Sequence, residues 1–182
     1  LDAHAFRVRD MPFESTGADV RVLLYLPGAP VFEQPPAEIR YPFDASFGDQ
    51  VRLLGYDVGR PLMPGAAIPV TLYWQALQPL TRHYKYILRL QEVAAAGTAQ
   101  TIHSAEREPY DGTLPTTAWP PGQVVVEYAE VGAPDDWNRT SDRYRLVLQM
   151  YDADTLAKLP VIVSGDVDGS LDAETLVLPS SS

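Results

Sequence analysis

The chain contains the stretch Tyr144-Arg-Leu-Val-Leu-Gln-Met-Tyr-Asp152, in which Tyr144, Leu146, Leu148 and Met150 fall on alternate positions. Two earlier stretches alternate in the same way, Val70-Thr-Leu-Tyr-Trp-Gln-Ala76 and Tyr84-Lys-Tyr-Ile-Leu-Arg-Leu-Gln91. Successive side chains of a strand point to opposite faces, so this period indicates antiparallel strands with one packed face and one face in water. The three stretches predict a β-sandwich.

The rest of the chain agrees with this interpretation. Its 17 prolines and 12 glycines are widely spread, which disfavours long helices, and no window keeps a 3.6-residue apolar period. Regular short strands separated by turn residues predict an all-β fold, an antiparallel sandwich of immunoglobulin-like or jelly-roll-like type with about 8–10 strands and little helix. The predicted strands are 39–43, 49–58, 67–77, 83–94, 99–107, 123–131, 142–152, 158–164 and 173–178.

The N-terminal region has a different pattern. Val20, Val22, Leu24 and Leu26 alternate as in a strand, and a Pro-rich run follows at 27–38. We therefore predict an N-terminal strand or arm with a Pro-rich connector over residues 1–38, a sandwich domain over 39–179, and a disordered tail over 180–182.

Charge and composition exclude several classes of function. Fourteen Lys and Arg against 24 Asp and Glu give a net charge of −10, which opposes binding to nucleic acid and docking on anionic lipid. The chain has no cysteine, so disulfide scaffolds, thiolate zinc sites and cysteine nucleophiles are excluded. No apolar run approaches the roughly 18 residues of a membrane span, so we expect no direct membrane insertion.

The first residue is Leu1, and no charged region leads into an apolar stretch as in a signal peptide. We therefore expect this chain to be a piece of a longer protein.

Motifs for common enzyme chemistry are absent from the sequence. There is no Gly-x-Ser-x-Gly elbow and no phosphate-binding glycine loop. The three histidines, His4, His83 and His103, lack the spacing of metal ligands. We therefore expect no cofactor, no metal and no catalytic residue in this chain.

Acidic residues leave two functions open, the hydrolysis of a glycoside and the binding of Ca²⁺. A glycoside hydrolase would need two carboxylates within about 5–10 Å of each other. We expect the candidates to lie mostly at strand ends or turns, as solvated groups. The candidates are Glu106, Glu108, Asp111, Glu127, Glu130, Asp135 and Asp136.

The densest acidic cluster contains Asp166, Asp168 and Asp172, whose oxygens could hold Ca²⁺. The spacing fails the EF-hand pattern, because Leu171 and Val177 occupy the positions of its glycine and its glutamate. A hairpin loop stabilised by Asp and Gly explains the cluster equally well.

Aromatic residues in the predicted loops suggest a carbohydrate site. Tyr110, Trp119 and Trp137 could form a stacking platform for the apolar face of a sugar ring. The alternative is that these rings cover the open ends of the sandwich core. Trp74 lies on the apolar face of its strand and is expected in the core.

Several motifs resemble, in the same order, the extracytoplasmic C-terminal β-sandwich of bacterial membrane glycosyltransferases of the family 39, mannosyltransferase-like type, notably from Chloroflexi-like bacteria. The resemblance covers roughly residues 40–178. The motifs are Phe47-Gly-Asp-Gln-Val-Arg-Leu-Leu-Gly-Tyr-Asp57, Pro64-Gly65, Val70-Thr-Leu-Tyr-Trp-Gln-Ala76, Pro109-Tyr-Asp-Gly112, Leu114-Pro-Thr-Thr-Ala-Trp119, Pro121-Gly122, Tyr151-Asp152 and Lys158-Leu-Pro160.

The resemblance implies an extracytoplasmic domain that follows a bundle of transmembrane helices. The catalytic acids of such transferases belong to the membrane portion, so none is carried over to this chain. We expect a non-catalytic accessory domain of a larger cell-envelope protein, with a membrane glycosyltransferase as the candidate parent, that positions or recognises a glycan or a protein neighbour. A stand-alone, secreted carbohydrate-binding module is the alternative, and a glycoside hydrolase is the third.

Overall fold

The computed structural model describes residues 6–15, 18–95, 97–138, 142–164 and 170–179. Two short 3-10 helices, Pro109–Gly112 and Thr116–Ala118, interrupt a succession of strands. The strands are β1 (Phe6–Ser15), β2 (Ala18–Leu26), β3 (Val31–Phe32), β4 (Tyr41–Phe47), β5 (Val51–Val58), β6 (Ile68–Ala76), β7 (Tyr84–Val93), β8 (Ala99–Arg107), β9 (Val124–Val131), β10 (Tyr144–Asp152), β11 (Val161–Val163), β12 (Ser170–Asp172) and β13 (Thr175–Leu178).

Two antiparallel sheets pack face to face, which confirms the predicted all-β sandwich. The six-stranded sheet has the order β11-β4-β5-β6-β9-β3, and the five-stranded sheet has the order β12-β13-β10-β7-β8. The described part of the chain thus has eleven strands in the sandwich, more than the predicted eight to ten. Edge strands of two or three residues, β3, β11 and β12, account for much of the difference, because so short a strand shows no alternation in sequence.

Alternation in the sequence corresponds to burial on β7 but not on β10, where the predicted face in water is wrong because the strand is buried along almost its whole length. On β7, Tyr84, Tyr86, Leu88 and Leu90 are buried while the intervening residues are partly exposed. Strand β6 is buried on both faces around Leu72, Tyr73 and Trp74. Trp74 lies in the core between the sheets, as expected. Tyr73, on the outer face, is buried as well, because Val124 and Val126 of β9 and the side chain of Ile39 pack around it.

An aromatic cluster occupies the centre of the core around Trp74. The ring of Trp74 lies 5.7 Å from that of Phe47, 6.0 Å from that of Tyr86 and 6.4 Å from that of Trp119. These rings come from both sheets and from the segment between β8 and β9, so the cluster fixes how the sheets and this segment sit together.

Strands β1 and β2 pair only with each other and form a two-stranded sheet of their own. The connector predicted at 27–38 contributes the edge strand β3, where Val31 pairs with Val125. The backbone N–H of Val126 also donates to the carbonyl of Pro30 at 2.9 Å. The predicted tail, residues 180–182, lies outside the described residues.

Gly55 is required by a close approach of two backbones. It has a φ of +153° and lies at a β-bulge in β5, where the register with β6 shifts. A Cβ at this position would lie 2.5 Å from the carbonyl oxygen of Tyr41 and 2.5 Å from a methyl of Ile39. A side chain at this position would therefore collide with the backbone of β4.

We expect Gly55→Ala to lower the free energy of unfolding by about 2 kcal/mol or more, since either the β4 backbone or the bulge must move. Urea unfolding monitored by tryptophan fluorescence measures the change. Gly28→Ala is the control, because a Cβ at Gly28 would meet no atom within 4 Å. Equal stability of the two variants would contradict the argument.

Candidate functional site

The structure places two of the three predicted sugar-stacking aromatics inside the core. Tyr110 is 1% exposed and Trp119 is 2% exposed. A ring with no open face cannot stack on a sugar, so the platform of Tyr110, Trp119 and Trp137 is wrong. The alternative, that these rings fill the core, is correct for Tyr110 and Trp119.

Local hydrogen bonds explain why both rings turn inward. The hydroxyl of Tyr110 donates to the carbonyl of Val126, and its backbone N–H reaches the carboxylate of Glu127. The residue has a left-handed backbone with φ 52° and ψ 40°, which is a costly conformation for tyrosine. The indole N–H of Trp119 donates to the carbonyl of Leu114 at 3.1 Å.

Trp137 is the remaining aromatic of the predicted platform, and it lies at one end of the sandwich. Its segment follows β9, and a turn closes where the Trp137 N–H donates to the carbonyl of Pro134 at 3.1 Å. The indole is half-buried and packs on the edge of the core. It lines a small cleft with a volume of about 20 Å³. The other lining residues are Val58, Leu90, Tyr144, Arg145, Leu146, Leu178 and Pro179.

The cleft has an apolar floor and a polar rim. Ends of strands from both sheets supply the floor, since Val58 closes β5 while Leu178 closes β13. On the rim, Arg145 donates from Nε to the side-chain oxygen of Gln91 at 2.8 Å. The cleft has room for about one water, so a ligand would contact its rim, where the Trp137 indole and the Arg145 guanidinium lie.

An ion-pair network stabilises the wall beside Trp137. Arg143 contacts Glu92 at 2.8 Å and Asp136 at 2.5 Å, and its guanidinium lies 5.1 Å from the centre of the Tyr144 ring. The Tyr144 hydroxyl donates to Asp136 at 2.8 Å. This hydrogen bond, followed by the charge of Arg143, lowers the pKa of Asp136. The network orients Tyr144 at the start of β10.

Most of the candidate acids have structural partners. Glu106 accepts from the Tyr151 hydroxyl, and Asp111 pairs with Arg107 at 3.1 Å. Glu108 lies 3.6 Å from His83. Of the described residues that line the cleft beside Trp137, none is Asp or Glu. The carboxylate candidates therefore do not converge on this cleft.

Glu127 departs from the prediction that the acids lie mostly at strand ends. It sits in the middle of β9 and points into the core with Val125 and Ala129. Its Oε1 accepts a hydrogen bond of 2.9 Å from the hydroxyl of Tyr86 on the opposite sheet. The backbone N–H of Tyr110 adds contacts of 3.2 and 3.3 Å to the two oxygens.

Burial determines the ionisation of Glu127. Desolvation raises its pKa to about 7, against the smaller lowering effects of the Tyr86 and Tyr110 hydrogen bonds and of Arg107. Burial and the charge of Glu127 in turn raise the pKa of Tyr86. The sequence does indicate that Glu127 is buried, because it falls on the same face of its strand as Val125 and Ala129.

The metal candidates are only partly described. Asp172 accepts from the backbone N–H of Glu174 at 2.8 Å and so stabilises the β12–β13 turn, while Asp166 and Asp168 lie outside the described residues. His4 also lies outside them. In the described ranges, no three His, Asp or Glu side chains form a metal-binding group. Within the same ranges, no helix is long and apolar enough to cross a membrane.

Comparison with known proteins adds no relative: no protein-family model, no curated protein and no solved structure matches this chain.

We expect the raised pKa of Glu127 to appear as a pH dependence of stability. A glutamate with a pKa of about 7 when folded and 4.5 when unfolded contributes stability below pH 4.5 that is lost as the pH rises through 7. The loss is on the order of 3 kcal/mol. Glu127→Gln should remove this pH dependence, because an amide does not titrate in this range. Its oxygen can still accept the hydrogen bonds of Tyr86 and Tyr110.

The measurement is urea unfolding of both proteins between pH 4.5 and pH 8.5. The exposed Glu38 provides a control, since Glu38→Gln should follow the pH profile of the parent chain. Parallel profiles for the parent and Glu127→Gln would show that Glu127 does not titrate in this range.

Proposed function

We propose that this chain is a non-catalytic, extracytoplasmic accessory domain of a larger cell-envelope protein, which positions or recognises a glycan or a protein neighbour. The observation that carries the proposal is the cleft beside Trp137. Its rim presents the half-buried Trp137 indole and the Arg145 guanidinium, and none of its described lining residues is an acid that could transfer a proton.

The partners of the other carboxylates support a non-catalytic role. The carboxylates of Glu106, Asp111 and Glu127 each have a hydrogen-bonding or ionic partner within the fold. The Glu127 carboxyl, whose raised pKa would suit a general acid, is enclosed between the sheets and cannot meet a substrate there. These groups therefore support the proposal that the chain has a binding role and not a catalytic one.

The sequence resemblance supports the cellular setting of the proposal. Residues 40–178 resemble the sandwich that follows the membrane portion of mannosyltransferase-like enzymes, so a membrane glycosyltransferase is the candidate parent. The net charge of −10 agrees with a partner that is neither nucleic acid nor an anionic membrane surface.

A stand-alone carbohydrate-binding module is the second candidate. Trp137 supports it, since this indole is half-buried in an open cleft and Arg145 lies beside it. A sugar would be recognised there by one aromatic ring and the Arg145 guanidinium, not by the three-ring platform.

A glycan array with the purified chain tests glycan recognition at this cleft. We expect Trp137→Ala to reduce binding at least about tenfold, because the indole supplies the aromatic contact. The control is Tyr128→Ala, which removes an aromatic ring that is 46% exposed on the outer face of the sandwich. Trp137→Ala should also lower stability, because the indole packs on the core, so urea unfolding of each variant must show that it is folded under the conditions of the array.

Two results would contradict parts of the proposal. Glycan binding that Trp137→Ala leaves intact would place the site elsewhere on the molecule. Hydrolysis or transfer of a glycan by the chain alone would show that it is catalytic.

A further inference from the structure

The outer face of the five-stranded sheet carries two arginines side by side. Arg89 lies on β7 and Arg145 lies on β10, at positions that alternate with the core residues of these strands. Arg89 lies opposite Val147, and Arg145 lies opposite Gln91. The two arginines are therefore diagonal neighbours across this strand pair, with backbones about 7–8 Å apart. We call the outward residues of β7 and β10 the arginine face.

A glutamine side chain contacts each of these guanidinium groups. Nη1 of Arg89 donates to the side-chain oxygen of Gln149, and Nε of Arg145 donates to that of Gln91 at 2.8 Å. Among the described residues, neither arginine forms an ion pair with an aspartate or a glutamate. Both guanidinium groups therefore keep their positive charge without a carboxylate beside them.

The other arginines on described strands of the sandwich behave differently. Arg52 of β5 pairs with Asp44 at 2.6 Å, and Arg107 of β8 pairs with Asp111 at 3.1 Å. The chain has 24 Asp and Glu against 14 Lys and Arg, so carboxylates are plentiful. Two neighbouring arginines that both lack one are therefore a specific feature of the arginine face.

The glutamines that hold the arginines are themselves fixed. Gln149 is 5% exposed, and its Nε2 donates to the hydroxyl of the equally buried Thr175 at 2.7 Å. Nε2 of Gln91 donates to the hydroxyl of Thr101 on β8 at 3.4 Å. Because each amide nitrogen bonds a threonine, each amide oxygen is directed to an arginine. The buried Gln149 thus orients the Arg89 guanidinium before any ligand binds.

Both guanidinium groups keep donors for a ligand. A guanidinium has five N–H donors in one plane and no acceptor. In the described part of the chain, the side chain of Arg89 and that of Arg145 each make one hydrogen bond, and both residues are partly exposed. A carboxylate matches the remaining donors, because it can accept two parallel hydrogen bonds from one guanidinium. The arginine face therefore suits a ligand that carries carboxylates.

Charge on the arginine face is opposite to that of the whole chain. Its outward residues include the cations Lys85, Arg89 and Arg145 but no Asp or Glu, whereas the net charge of the chain is −10. Acidic residues lie at its borders, where Glu106 of β8 accepts from the Tyr151 hydroxyl. The local charge therefore complements an anionic group placed over the two arginines.

Polar groups on the arginine face favour a sugar over a protein as the ligand. Protein interfaces depend on aromatic and aliphatic anchors, and among the described residues no outward side chain of β7 or β10 is a strongly exposed large apolar one. Arg145 also lines the cleft beside Trp137. A glycan that contacts the indole at one end would therefore extend over Arg145 towards Arg89.

We propose that the arginine face binds an acidic glycan, whose uronate or sialate carboxylates pair with Arg89 and Arg145. The inference rests on the proposed function, because it takes the glycan and not the protein neighbour as the ligand, and it adds the carboxylate as the group that is recognised. The charge of the whole chain does not prevent this, since at about 0.15 M salt charges more than about 8 Å away are largely screened.

Calorimetry with purified oligosaccharides that contain glucuronate, galacturonate or sialate tests the inference, each beside its counterpart with the carboxyl groups reduced to alcohols. At about 0.15 M salt, we expect at least one acidic glycan to bind the 182-residue chain about tenfold or more tightly than its reduced counterpart. Arg89→Gln and Arg145→Gln should each remove most of this preference. Arg89→Lys should retain part of it, because an ammonium keeps the charge and loses the bidentate geometry.

Arg52→Gln is the matched control, because it removes the same charge from a strand arginine on the outer face of the other sheet. It should leave the affinity for the acidic glycan within about twofold of the parent value, since a distant exposed charge is screened. Urea unfolding of each variant must show that it is folded at the temperature of the titration.

Four results would count against the inference. Acidic and reduced glycans that bind equally well, both weakened by Trp137→Ala, would overturn it and leave the proposed function standing. A preference for the acidic form that survives both substitutions to glutamine would place the carboxylates elsewhere. Equal binding of a polyglutamate peptide would show that the face recognises carboxylates without regard to the sugar. Failure of every glycan to bind, acidic or reduced, would contradict glycan recognition in the proposed function as well.

Discussion

Glu127 places a carboxyl group in the space between the two sheets, where a polar group must find hydrogen-bond partners or destabilise the fold. Its partners come from two other parts of the chain, the hydroxyl of Tyr86 on the facing sheet and the backbone N–H of Tyr110 in the 3-10 turn. Burial of this one side chain therefore links β9, β7 and the Pro109–Gly112 turn. The left-handed backbone of Tyr110 costs free energy, and the hydrogen bonds that its N–H and its hydroxyl donate offset this cost.

The hydrogen bonds of Glu127 also explain why Tyr110 and Trp119 are buried. The turn held by Glu127 leads directly into the segment that delivers Trp119 to the core, where the indole packs against Trp74. Tyr110 and Trp119 are thus part of the hydrophobic core. They were predicted to bind sugar only because the sequence places them in loops. A long segment between β8 and β9 can fold back into a sandwich, so a loop position in sequence does not imply exposure.

The Trp137 end of the sandwich differs from this interior in having partly exposed groups. The loops at 59–67 and 132–138 approach each other there, since a Cβ at Gly65 would lie 2.6 Å from a carboxylate oxygen of Asp135. The Trp137 indole and Arg145 line a small apolar cleft at this end. The Glu127 carboxyl, by contrast, accepts hydrogen bonds from Tyr86 and Tyr110 inside the fold. This division is why we place binding at the Trp137 end.

The sequence by itself determined the strands and the faces of the sheets. Alternation along β6, β7 and β10 predicts that each is a strand and which of its residues share a face, because the period of a strand is a local property of the backbone. It did not predict that β10 and the middle of β6 are buried on both faces. Only the tertiary structure decided which polar and aromatic groups are exposed. Glu127 meets Tyr86 across 41 residues of sequence, and Val58, Trp137 and Pro179 meet at one cleft, since these contacts depend on how the sheets stack and where the loops cross. Period and composition carry no information about such distant contacts, which is why the three-ring platform was wrong and, of its three rings, only Trp137 lines the cleft.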